Sequence, residues 1–89
     1  MNSSAAWRVR VAKRVSKVIE RFPRRDYERI IEALREFSFD PWSGDITQIK
    51  GEDNLWRRRV GSYRISYSAY PDSHVVEIKE VERRTSNTY

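Results

Sequence analysis

Two residues, Gly61-Ser62, separate two runs of β-forming side chains, residues 55–60 (LWRRRV) and 63–70 (YRISYSAY). A two-residue loop between such runs specifies a tight hairpin, and glycine suits it because it takes positive φ at no steric cost. The turn Pro71-Asp72-Ser73 then leads into a third run over residues 74–81. Three successive strands joined this tightly must pair as an antiparallel meander. A short strand over residues 46–50, followed by the turn GEDN, precedes them. One half of the chain is thus committed to sheet, and the other half has to cover a face of it.

That other half changes period. Residues 6–11 alternate Trp7, Val9 and Val11 against Arg8 and Arg10, the pattern of a half-buried strand. From about Val11 the apolar residues Val11, Val15, Val18 and Phe22 are spaced four, three and four, with Ala12 and Ile19 on the same side. This predicts an amphipathic helix ending near Pro23. Asp26 suits a cap or a first helical turn, where the positive helix end favours an acid. Tyr27, Ile30, Ile31, Leu34 and Phe37 mark a second helix that stops before Pro41. The short connection makes the pair a helical hairpin. The expected fold class is α+β in the order β-α-α-β-β-β: an antiparallel sheet with the α-helical hairpin packed on one face and the other face open. Residues 1–89 are expected to form a single domain with a thin core.

Charge narrows the partners. The chain carries 18 Lys and Arg against 13 Asp and Glu, a net charge of +5 with a pI near 9.9. Residues 54–70 hold four arginines and no acid, so most of the excess is concentrated there. A focused basic patch favours a polyanion, either nucleic acid or an acidic protein. The absence of cysteine excludes a disulfide framework, a thiol nucleophile and a thiolate metal site, and points to a reducing, cytoplasmic setting. A single histidine, His74, rules out a multi-histidine metal site, and neither a metal nor a cofactor is expected. No apolar run approaches the roughly 20 residues of a membrane span, and no signal-peptide pattern opens the chain.

Strand alternation assigns the arginines to faces. In residues 55–60, Trp56 and Val60 belong to the core face, which sends Arg57 and Arg59 to the open face. In residues 63–70, Tyr63, Ile65, Tyr67 and Ala69 are core, and Arg64 joins the open face with Ser66 and Ser68. The hairpin therefore brings Arg57, Arg59 and Arg64 side by side. Like charges on neighbouring strands repel, so such a face is either solvated or built to hold an anion. Arg58 is the exception, directed by the same alternation toward the core. Either its stem packs while its guanidinium reaches water, or a bulge shifts the register. On the first helix Arg10, Arg14, Lys17 and Arg21 recur at helical spacing, a solvated face or a stripe for RNA phosphates or an acidic protein.

With these residues in place the chain resembles the RelE/ParE toxins of bacterial type II toxin–antitoxin systems over nearly its whole length. The resemblance lies in the order strand, helical hairpin, meander; in Gln48-Ile49-Lys50-Gly51; in the block from Trp56 to Arg64 (WRRRVGSYR); and in Val81-Glu82-Arg83-Arg84 with Tyr89 nearby. RelE-type members are ribosome-dependent endoribonucleases that cut messenger RNA, whereas ParE-type members poison DNA gyrase. The resemblance implies a RelE-like mRNA interferase. It implies catalytic positions at Arg57, Arg59, Arg64, Arg84 and Tyr89, with RNA contacts from Lys50, Arg83, Arg14 and Lys17. Its partners would be a cognate antitoxin with an acidic or amphipathic segment, messenger RNA and the ribosome. A gyrase inhibitor and a catalytically inactive antitoxin-binding relative are the alternatives.

The implied chemistry uses the 2′-hydroxyl of RNA as nucleophile. The guanidinium groups of Arg59 and Arg64 would clamp the scissile phosphate and stabilise its developing charge. One of Arg83 and Arg84 would lie near the leaving oxygen, and Tyr89 would orient or stack on a base, or help deprotonate the 2′-hydroxyl. Familiar RelE members carry lysines where this chain has Arg57 and Arg59. Arginine holds phosphate well but does not give up its proton, so these positions supply a clamp rather than a general base.

Overall fold

The computed structural model of the chain describes residues 6–83. In chain order the elements are β1 (Arg8–Val11), α1 (Lys13–Glu20), α2 (Arg24–Phe37), β2 (Ile46–Gln48), β3 (Trp56–Val60), β4 (Tyr63–Tyr70) and β5 (Val75–Arg83). The five strands form one sheet in the order β1-β5-β4-β3-β2, one strand more than β-α-α-β-β-β counts, because the short β2 pairs on β3 as an edge strand. The fold is α+β, with both helices on one face: α1 lies against β5, and α2 reaches β1 and β3.

The meander pairs antiparallel as its turns require. Val60 faces Tyr63 across Gly61-Ser62, and Gly61 takes a φ of 59° at the first loop position. One edge of the sheet differs from the antiparallel expectation, because β1 pairs parallel with β5, Arg8 opposite Val75 through Val11 opposite Ile78. Two helices and three strands intervene between β1 and β5, so no tight turn dictates their relative direction. Element ends also move. β2 stops at Gln48, before a turn in which Gly51 has a φ of 87°. His74 belongs to the turn, with a φ of 56°, and β5 continues past Val81 to Arg83.

The core is built from Val15 and Ile19 of α1, Ile30, Ala33 and Phe37 of α2, and Tyr63, Ile65, Tyr67, Ala69, Val76, Ile78 and Val81 of the sheet. Tyr67 and Phe37 are fully buried with ring centroids 4.4 Å apart, and the Tyr67 hydroxyl donates to the Pro41 carbonyl at 2.6 Å. That bond ties the α2–β2 loop to the centre of the sheet and satisfies a polar group that burial would otherwise penalise. At the end of the sheet where β5 begins, Trp7 stacks on His74 at 4.7 Å, and Trp42 meets both Trp7 and Trp56 edge-on.

A bulge in β5 positions the open face. Pairing passes from Tyr67–Ile78 to Ser66–Glu80, leaving Lys79 as the extra residue. Val76 and Ile78 point to the core before it and Val81 after it, so the side-chain parity flips along the strand. Glu82 therefore shares the open face with its register partner Arg64, and Arg83 shares the helical face with Tyr63.

Candidate functional site

The β3–β4 hairpin sets Arg59 directly opposite Arg64, with Arg57 one step along opposite Ser66. On the outer side Thr47 of β2 pairs with Arg57. These side chains, with Asp45, line an open concavity of about 330 Å³ on the face away from the helices. Three of the arginines marked by alternation are thus brought together.

Two like charges face each other here, and the sheet tolerates them because each has a carboxylate on its far side. Arg59 Nε donates to Asp45 Oδ2 at 3.1 Å, and the Arg59 backbone N–H donates to the Asp45 carbonyl at 2.9 Å. Arg64 Nη2 lies 3.6 Å from Glu82 Oε1. The row Asp45, Arg59, Arg64, Glu82 therefore runs minus, plus, plus, minus across the sheet, which offsets the cross-strand repulsion. The offset is incomplete. Arg57 sits between uncharged register partners, Thr47 and Ser66, and the Nε–H of Arg64 is buried with no partner. Three guanidiniums lining one concavity, with their charge only partly offset, suit it to an anion.

Arg58 takes neither course left open by the sequence. The register through β3 is regular, and the side chain turns to the helical face, where only 12% of it is exposed. There Nη2 bonds Glu36 Oε1 of α2 at 2.6 Å, and the guanidinium lies 5.7 Å from the centre of the Phe37 ring. Gly44, with a φ of 84°, leaves it room: a Cβ at that position would come within 2.6 Å of Arg58 Nε.

The other basic positions fall elsewhere, and Arg10, expected on the first helix, lies in β1 because the helix begins only at Lys13. Arg83 crosses to the helical face, its guanidinium 5.8 Å from the centre of the Tyr63 ring. Tyr63 donates to Asp26 Oδ2 at 2.8 Å, so the first-turn acid of α2 secures the end of β4. Burial pushes the Tyr63 phenol above its ordinary value, the Asp26 bond and charge add to the rise, and Arg83 opposes it. Arg14, on α1, donates to the Lys79 carbonyl at the bulge, and Lys17 is exposed on the same helix. Lys50 lines a separate depression in the β2–β3 turn with Gly51 and Glu52. Arg84 and Tyr89 lie outside the described residues. Among the described residues no three His, Cys, Asp or Glu side chains gather as a metal site, and no helix is long and apolar enough to cross a membrane.

Sequence reasoning missed Asp45, Thr47 and Glu82. Glu82 had a signal: apolar residues at 76, 78 and 81 break the period of two, which marks a bulge. Asp45 had none, since its place depends on how the short β2 strand registers on β3.

No protein-family model matches the chain. It is 29% identical over 79 residues to a protein of Methanocaldococcus jannaschii provisionally named toxin RelE1, covering 85% of this chain and 88% of that one. In structure it is similar to RelE in the RelE–RelB complex of Pyrococcus horikoshii, with a TM-score of 0.80 and 26% identity over 92% of this chain and 99% of that one. The RelB–RelE complex of Methanococcus jannaschii gives a TM-score of 0.61 at 29% identity, covering 84% and 90%. The isolated Escherichia coli RelE toxin, at 17% identity, shares the fold with a TM-score of 0.78 over 92% and 88%. In both sequence and fold, then, the chain is similar to RelE toxins.

Proposed function

We propose that this protein is the toxin of a toxin–antitoxin pair and acts as an endoribonuclease on messenger RNA held by the ribosome, in the cytoplasm. The observation that carries this reading is the facing pair Arg59 and Arg64 beside Arg57 in one open concavity, with a buried donor of Arg64 left unpaired. Hydrogen bonds from a preorganised set of guanidiniums strengthen as a phosphate passes to a more highly charged phosphorane, which is what accelerates 2′-hydroxyl attack. The ribosome supplies what a shallow site does not, an RNA backbone held near the in-line geometry. Lys50, Arg14 and Lys17 are proposed to meet RNA phosphates around this centre. Arg83 stands on the opposite face and is proposed to contact RNA only at its margin. Arg84 and Tyr89 keep the roles that the resemblance implies, beside the leaving oxygen and the base. The regulator is a cognate antitoxin whose acidic or amphipathic segment covers the basic concavity, a reading supported by the RelE–RelB assemblies of similar chains.

The test is expression of wild type and Arg64→Ala in a translating extract, with cleavage mapped by primer extension. Wild type cuts ribosome-bound message and Arg64→Ala does not. Equal cleavage by both removes the site, and intact message with blocked DNA supercoiling turns the assignment to gyrase inhibition.

A further inference from the structure

Among the described residues, an arginine clamp leaves one step without an agent, removal of the proton from the 2′-hydroxyl. Guanidinium does not do this at any working pH. The described groups able to accept a proton are few near the concavity. His74 is at the far end of the sheet, stacked on Trp7. Tyr63 faces the helices and bonds Asp26. Lys50 lines a different depression. Glu82 stands on the outer side of Arg64, 3.6 Å from it, and does not line the concavity. Asp45 does line it, beside Thr47, Arg57, Arg59 and Arg64.

Building on the nuclease reading, we propose that Asp45 is the general base of this site. Its backbone is pinned by the bond from the Arg59 N–H, and its Oδ2 is held by Arg59 Nε, so the carboxylate has a fixed place at the rim. Its side chain is 60% exposed, open to a substrate hydroxyl approaching from solvent, and holding Oδ2 leaves Oδ1 for that hydroxyl. The groups facing it are all cations: Arg57 and Arg59 from β3 and Arg64 from β4, with Glu82 beyond Arg64. In the step, the 2′-hydroxyl proton passes to Asp45 as the 2′-oxygen bonds to phosphorus. The bond from phosphorus to the 5′-oxygen breaks, that oxygen keeps the electron pair, and it takes a proton from solvent water. Asp45 later returns its proton to solvent, so the products are a 2′,3′-cyclic phosphate and a 5′-hydroxyl with no net proton change. Arg59 then has two tasks: it orients the base through Nε while its terminal nitrogens reach the phosphate.

The rival reading of the same contact is that Asp45 merely competes with phosphate for Arg59, and the two differ in sign. Removing a general base slows the chemistry by roughly 10²–10⁴-fold, whereas removing a competitor speeds it or tightens binding. The experiment uses the full chain on programmed ribosomes under single-turnover conditions, comparing wild type, Asp45→Asn, Asp45→Glu and, as a charge-matched control in the β4–β5 turn, Asp72→Asn. Binding is read separately with message 2′-O-methylated at the cleaved nucleotide, and folding by thermal melt. We expect Asp45→Asn to cleave at least about 100-fold more slowly while binding the methylated message no more weakly. Asp45→Glu should recover most of the rate, and Asp72→Asn should match wild type. If Asp45→Asn cleaves as fast as wild type or faster, Asp45 is not the base, though the nuclease reading stands. If wild type itself does not cleave, the nuclease reading falls and this assignment with it.

Discussion

Arg58 lies between Arg57 and Arg59 in the sequence, and the two faces of β3 put them to opposite uses. On the helical face, Arg58 is nearly enclosed, bonded to Glu36 and set against Phe37, and it links α2 to the sheet. On the open face, Arg57 and Arg59 gather with Arg64 around a concavity, and their charge is only partly offset. Residue type does not separate the two kinds of arginine, and neither does local charge. Parity on a strand does, together with what each face meets. A charge enclosed with a partner is part of the fold, and a charge held in the open beside like charges is available to a ligand.

The sharpest way to break this comparison is to exchange its outcomes. Arg64→Ala should reduce cleavage of ribosome-bound message by about 10²–10³-fold, the usual effect of removing one preorganised donor. Its urea unfolding midpoint should stay near wild type, because the only ion pair lost is the 3.6 Å contact with the half-exposed Glu82. Loss of stability without a separate loss of cleavage would mean that the open face is structural after all.

The closed face should respond in stability. Glu36→Ala leaves Arg58 enclosed with no carboxylate, and its Nε and Nη1 already lack partners. We expect a cost of roughly 2–4 kcal/mol in chemical unfolding, toward the range seen when one member of a buried pair is removed. Arg58→Met should cost less, about 1 kcal/mol, since it keeps apolar contact with Phe37 and leaves Glu36, 46% exposed, able to take up water. The reverse order would show that the pair's own attraction, rather than the burial of an unpaired charge, controls this contact.

Much of this arrangement was legible in the sequence. Gly61-Ser62 fixed the hairpin, and the hairpin with alternation put Arg57, Arg59 and Arg64 on one face and Arg58 on the other. These are local statements, set by turn length and a period of two. What escaped depended on contacts between distant segments. Glu36 and Arg58 are 22 residues apart and meet only because α2 docks at a particular angle. Asp45 reaches Arg59 through the register of a three-residue strand. Glu82 reaches Arg64 because Lys79 is an extra residue in β5. The parallel pairing of β1 with β5 is likewise a tertiary choice, with no turn to announce it.

Tyr67 sharpens the closed face through pH. Burial pushes its phenol up to about 12, with the nearby Arg58 charge opposing that rise and Asp40 adding to it. The folded state thus favours the neutral form. Its contribution is complete below the ordinary value near 10 and is lost as pH rises toward and through 12. A shift of that size corresponds to roughly 2–3 kcal/mol at most. Unfolding free energy should therefore fall over this window in wild type and fall less steeply in Tyr67→Phe, which lacks the titrating group. At neutral pH Tyr67→Phe should cost about 1 kcal/mol for the bond to Pro41. Identical alkaline slopes for the two proteins would remove Tyr67 as the cause.

The smallest expected effect is the most direct contrast with Arg58. Arg57→Gln, one position away, should change unfolding free energy by no more than about 0.5 kcal/mol, as for a surface substitution with no buried partner. Its register partners Thr47 and Ser66 carry no charge, so no attraction is lost. Removing one of three clustered cations should relieve repulsion, giving a gain of a few tenths of a kcal/mol at low salt that fades as ionic strength screens it. Chemical unfolding of wild type and Arg57→Gln at two salt concentrations measures both terms. A loss above about 1 kcal/mol would place Arg57 with Arg58 as a structural residue, far outside the range of exposed positions. A salt-dependent gain would identify the open face as one whose charge is held at a cost to the fold, as a site kept for an anion requires.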